Sequence, residues 1–107
     1  MKQVVFKMKL KHGCEDEYKK RHGEIWPELV GLLRENGIKN YEIYFDKETD
    51  TLLAVQYVDD SIAFNLKQSP VMMKWWEHMA DLMEVNPDKS PVVVALEKVF
   101  SMPRPGC

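Results

Sequence analysis

An imidazole sharing a helical face with a phenol is a minimal unit for moving protons, and the stretch Tyr18-Lys-Lys-Arg-His22 contains one. Residues four apart stack on one face of a helix, and Ile25 and Leu29 continue this face toward a core. Imidazole titrates near neutrality and serves as acid or base. An inward histidine is equally the mark of a core residue, so the pair gains chemical meaning from its neighbours. Tyr41 and Tyr44 on a strand-like run, with Trp75 and Trp76 on a later helical one, could gather aromatic faces with polar tips around it. A pyranose ring suits such a pocket, because its axial hydrogens stack on indole or phenol while its hydroxyls take directional hydrogen bonds. Trp75 and Trp76 also read as core, an adjacent pair wrapping the buried edge of a helix. His12, at a polar turn, and His78, between Glu77 and Met79, read as solvated.

Several other chemistries lack their residues. The three histidines and two cysteines show none of the paired spacings that tetrahedral zinc or a facial triad requires, so no metal site is expected. A glycine-rich phosphate loop, a dinucleotide fingerprint and a nucleophile elbow are likewise missing. An enzyme made from this chain is therefore expected to use no cofactor and to need proton transfer alone. Fifteen Lys and Arg against 17 Asp and Glu leave a net charge of −2, with no basic field for nucleic acid or an anionic membrane. A small neutral or weakly charged ligand fits better. No run approaches the roughly 18 apolar residues of a membrane span, and Met1 to Leu10 alternates lysines with apolar residues, unlike a signal peptide. Cys14 and Cys107 lie near opposite ends and suggest no disulfide framework, so a cytoplasmic setting is expected.

The elements that must position the candidate residues follow from periodicity. Val4, Phe6, Met8 and Leu10 alternate with lysines as in a strand with one buried face. From Cys14 to about Asn36 the positions Tyr18, Ile25, Leu29, Leu32 and Leu33 recur with helical spacing, with a break expected at Trp26 before Pro27 and a left-handed cap at Gly37. Residues 40–46 and 51–58 read as a hairpin about Lys47-Glu48-Thr49-Asp50. Ser61 caps a short helix ending near Gln68, and Ser69-Pro70 starts another with Met72, Trp75, Met79 and Leu82 on one face. After the turn cluster Asn86 to Pro91, Val92 to Phe100 reads as the last strand. The order β-α-β-β-α-β is an α+β, ferredoxin-like pattern: one domain over residues 1–107, with an antiparallel sheet, helices on one face and a Pro-rich tail at 102–107. Apolar residues at both phases of Leu52, Leu53, Ala54 and Val55 leave a second sheet face to cover, so a homodimer is expected.

Read together, Tyr18-Lys-Lys-Arg-His22, Ile25-Trp-Pro-Glu-Leu29, Asn40-Tyr-Glu-Ile-Tyr44, Lys74-Trp-Trp76 and Asn86-Pro-Asp-Lys-Ser-Pro91 resemble the L-rhamnose mutarotase family across nearly the whole chain. The resemblance implies interconversion of the α and β anomers of L-rhamnose within rhamnose metabolism, by a cytoplasmic homodimer of the dimeric α/β-barrel type. It also implies a proton-donating His22 and sugar binding by Tyr18, Tyr41, Trp75 and Trp76. Two rivals share the pattern of residues: a dimeric oxygenase of the same fold, haem-binding or cofactor-free, and a non-catalytic small-molecule sensor. Fold alone does not separate them.

Overall fold

Apolar residues and lysines that alternate from Val4 to Leu10 demand an extended chain with one wet face. The computed structural model, which describes residues 2–59 and 69–103, forms β1 over Lys2–Lys9 there. The order continues with α1 (Glu15–Gly23), α2 (Pro27–Glu35), β2 (Ile38–Asp46), β3 (Thr51–Val58), α3 (Pro70–Met79), a 3-10 turn (Ala80–Leu82) and β4 (Val94–Ala95). The described strands form one sheet in the order β2-β3-β1-β4, with every neighbouring pair antiparallel. This is the expected α+β, ferredoxin-like arrangement. No helix among the described residues is long and apolar enough to cross a membrane.

Strand register builds the inner face of the sheet. Val4, Gln56 and Tyr41 share one rung, Phe6, Ala54 and Ile43 the next, and Met8, Leu52 and Phe45 a third. Alternation puts all nine on one side, where Leu29 of α2 and Met72, Trp75 and Met79 of α3 join Met8, Leu52 and Ala54 in the core. Leu52 is 1% exposed. Its truncation leaves a hole in a packed layer, so Leu52→Ala should cost about 2–5 kcal/mol of stability. Denaturant unfolding checks this as a lower midpoint at unchanged slope.

Local stereochemistry sets the element ends. Proline restricts the residue before it, and Trp26, extended at φ −67° and ψ 130°, separates α1 from α2 as expected. Gly37 takes the left-handed position after α2 at φ 88°, where its N–H donates to the Arg34 carbonyl at 3.1 Å. The Ser69 hydroxyl accepts from the Met72 N–H at 3.4 Å, capping α3 ahead of Pro70. The helix expected over Ser61 to Gln68 lies outside the described residues, as does the tail beyond residue 103.

The last strand is much shorter than its residues suggest. Of the run Val92 to Phe100, only Val94 and Ala95 pair with β1, opposite Lys7 and Phe6. One further bond, from the Leu96 N–H to the Val5 carbonyl at 2.9 Å, ends the contact. β-branched residues favour an extended backbone but supply no facing row of donors and acceptors. Val99 and Phe100 accordingly stand 91% and 75% exposed.

Candidate functional site

Helix α1 is polar along most of its length, and Tyr18 is its one buried residue. The four-residue spacing brings the Tyr18 and His22 rings together at 4.2 Å between centroids, with planes 29° apart. His22 Nδ1 lies 3.2 Å from the Tyr18 carbonyl oxygen. A carbonyl accepts only, so Nδ1 carries a hydrogen, and in the neutral ring the lone pair sits on Nε2. The indole of Trp75 meets the imidazole edge-on at 5.4 Å and 86°. The ring is thus held on two sides, with its Nδ1 edge turned to the backbone. Burial lowers the pKa of His22 against the opposing pull of the Tyr18 carbonyl, so the neutral imidazole dominates at neutral pH.

A cavity of about 760 Å³ lies between the inner sheet face and the helices, and Tyr18, His22, Tyr41, Trp75 and Trp76 all line it. The structure therefore brings the five candidate residues to one place. Trp75, 6% exposed, belongs to the core as well as to the cavity, and half-buried Trp76 packs against that core. The indole pair thus packs on the core and lines the cavity at once.

Tyr41 reaches the cavity because it sits on the inner face of β2. Burial pushes its phenol up to about 12, and a side-chain hydrogen bond with Gln56, its partner across the strands, opposes the shift. The Tyr18 phenol is pushed up as well, by burial first and then by neighbouring Tyr41. Both phenols stay protonated at neutral pH and so are able to donate a hydrogen bond.

Tyr44 also lines the cavity, as the sequence suggested, although it is far more exposed than Tyr41. Three residues along a strand reverse the face, and Tyr44 is 56% exposed, its hydroxyl donating to Glu42 at 3.1 Å. His12 is exposed as expected, with Nδ1 3.1 Å from Asp50 Oδ2. His78 is exposed too, yet its ring lies 5.6 Å from both Trp26 and Trp75.

Sequence reasoning does not single out Trp26, which stands against Trp75, or Gln56. Trp26 meets Trp75 edge-on at 5.1 Å and 83°; its only sequence signal is the Trp-Pro break that orients it. Gln56 lines the cavity and is the single side-chain amide in β3, a polar residue on an inward phase that could have drawn notice. Among the described residues, no three His, Cys, Asp or Glu side chains gather where they could hold a metal ion.

Comparison with known proteins adds the following. Residues 3–102 match the family model for L-rhamnose mutarotase. An L-rhamnose mutarotase of Bacteroides thetaiotaomicron is 52% identical over 103 residues, covering 95% of this chain and 99% of that protein. Its counterpart in Brucella anthropi is 52% identical over 103 residues, covering 94% of this chain and 96% of that one. The crystal structure of an L-rhamnose mutarotase from Formosa agariphila superposes with a TM-score of 0.88 at 47% identity, covering 96% of this chain and 100% of that chain. A structure from Mycobacterium tuberculosis, 12% identical with a TM-score of 0.54, shares the fold.

Proposed function

Because the chain belongs to the L-rhamnose mutarotase family, isomerases that interconvert anomers, we propose that it exchanges the α and β anomers of L-rhamnose with His22 as its proton-transferring group. The observation that supports this reading is the His22 ring, held between Tyr18 and Trp75 with Nδ1 on the Tyr18 carbonyl, which leaves Nε2 for the proton transfer we assign to it. In the imidazolium form, Nε2–H gives its proton to the ring oxygen as the bond from that oxygen to the anomeric carbon breaks. The anomeric hydroxyl loses its proton to a water molecule and becomes the aldehyde carbonyl. After rotation of the aldehyde, the freed hydroxyl attacks its other face and returns its proton to Nε2, while the carbonyl oxygen takes back the proton held by the water, closing the ring as the opposite anomer. Atoms and charge balance without a cofactor.

Tyr18 and Tyr41, neutral at working pH, act as hydrogen-bond donors to sugar oxygens, and Trp75 and Trp76 offer indole surface to the ring's apolar patch. Their protonation argues against a tyrosinate base, and we give that role to water. Saturation-transfer NMR on L-rhamnose tests the function directly: irradiating one anomeric proton should drain the other in proportion to protein concentration. Exchange at the buffer rate would overturn the reading.

The pH dependence has a definite sign. Acidification populates the imidazolium donor, so kcat should rise as pH falls. It should level off beyond an inflection below the ordinary histidine value of 6.5, because burial disfavours the charged ring. A rate that drops on acidification, while circular dichroism stays native, would make His22 a base instead.

We also propose that the protein is one domain that works as a homodimer. The support is apolar surface that a lone chain leaves bare: Val93, Leu96, Val99 and Phe100 beside the two-residue β4, and Tyr57 on the outer sheet face. Light scattering should return twice the 12.6 kDa of the chain, and a 12.6 kDa particle at micromolar concentration would refute the dimer. A cytoplasmic setting fits the unpaired thiol of Cys14.

A further inference from the structure

A helix needs an apolar stripe to fix its rotation against the fold, and α1 has one buried residue, Tyr18, on which to turn. The polar contacts of Arg21 supply what the stripe does not. Its Nη1 donates to Asp81 Oδ1 at 2.8 Å and to the His78 carbonyl at 2.6 Å, and Nη2 donates to Asp81 Oδ2 at 3.3 Å. Its Nε donates to Glu17 Oε2 at 3.0 Å, one turn back on the same helix. Two parallel bonds to one carboxylate fix direction as well as distance. The Arg21 side chain is 19% exposed although Asp81 is 66% exposed, so the guanidinium lies within the seam between elements. The Arg21 guanidinium holds the Asp81 carboxyl below the usual carboxylate range, which keeps the fork intact at neutral pH.

The partners of this fork stand at a particular place. His78 is in the last turn of α3, three residues beyond Trp75, and Asp81 is in the 3-10 turn that follows directly. Arg21 precedes His22 on α1. The fork therefore ties the helix that carries the proton-transferring ring to the helix that carries the indole 5.4 Å from it. We propose that Arg21 is a positioning residue for the proton transfer: its fork on Asp81 and the His78 carbonyl sets the rotation of α1, and with it the place of His22 Nε2 above the sugar.

Magnitudes separate this role from a merely stabilising one. Exposed ion pairs contribute little to global stability, whereas displacing a catalytic group by about 1 Å can cost around 100-fold in rate. Arg21→Met keeps the aliphatic stem and removes the fork. It should lower kcat about tenfold or more while KM stays within about threefold and the thermal midpoint barely moves. Arg21→Lys should not rescue kcat, because an ammonium has no planar fork. The His22 ring resonances should shift in both variants, since the stacked Tyr18 and edge-on Trp75 currents act on a displaced ring.

The inference rests on the assignment of His22, and a double-mutant comparison keeps the two apart. On a His22→Ala background, Arg21→Met should have no further effect on kcat. If His22→Ala exchanges anomers at the parental rate, the assignment of His22 fails. If His22→Ala is impaired but folded Arg21→Met is not, or if its His22 resonances stay in place, the positioning role alone fails. A loss of rate in Arg21→Met that persists undiminished on the His22→Ala background would also overturn it.

Discussion

Replacing His22 with alanine should slow L-rhamnose anomer exchange by about 10²- to 10⁴-fold, the range for one positioned acid–base group. Alanine leaves Tyr18, Tyr41, Trp75 and Trp76 around the cavity, so the sugar still has its stacking surfaces and hydroxyl donors. The loss should fall on kcat, with KM changed much less. His22 is half-buried at the end of a short polar helix and, among the described residues, its side chain bonds only to the backbone of that helix, so the fold should tolerate its removal. His22→Gln provides a second variant that can still hydrogen-bond to the sugar. It should remain slow, because an amide does not exchange protons at neutral pH. Parental rates in both variants would remove His22 from the chemistry.

Trp75→Ala should damage both stability and rate. The indole is 6% exposed and touches Trp26, His22 and His78 by ring contacts, and removing so large a buried side chain costs about 3–5 kcal/mol. Unfolding curves should show that loss directly. Because low activity in a half-folded protein says little, Trp75→Phe is the sharper variant. Phenylalanine retains an aromatic edge and much of the volume, so folding should largely survive while the flank of the imidazole is shortened. We expect kcat for Trp75→Phe to fall by about tenfold and KM to rise, with the thermal midpoint lowered less than in Trp75→Ala. Parental kinetics in folded Trp75→Phe would confine this residue to the core.

What sequence made legible is what short-range physics decides. Period two placed β1 and the hairpin, the residue before Pro27 marked the helix break, and a four-residue spacing joined Tyr18 to His22. The same period-two rule, applied to Tyr41 and Tyr44, puts them on opposite faces and accounts for Tyr44 meeting the cavity only as an exposed residue. Other features depend on segments far apart along the chain. Arg21 finds Asp81 across 60 residues, and Gln56 stands opposite Tyr41 through a register that no single strand specifies. The extent of β4 is of this kind as well: its residues favour extension, but pairing depends on what β1 offers at its edge. Family resemblance, rather than residue physics, named the sugar.

The edge-on contact between Trp75 and His22 also gives the protein an internal optical reporter. Protonated imidazole quenches indole emission much more effectively than the neutral ring, and in this geometry Trp75 faces the group whose charge state is proposed to control turnover. Part of the tryptophan emission should therefore dim as His22 gains its proton, in protein with no sugar present. Subtracting the same titration of His22→Gln removes the signals of the other indoles and of His78. The midpoint that remains is the ionisation of the free enzyme, obtained from light alone and directly comparable with the inflection of kcat/KM.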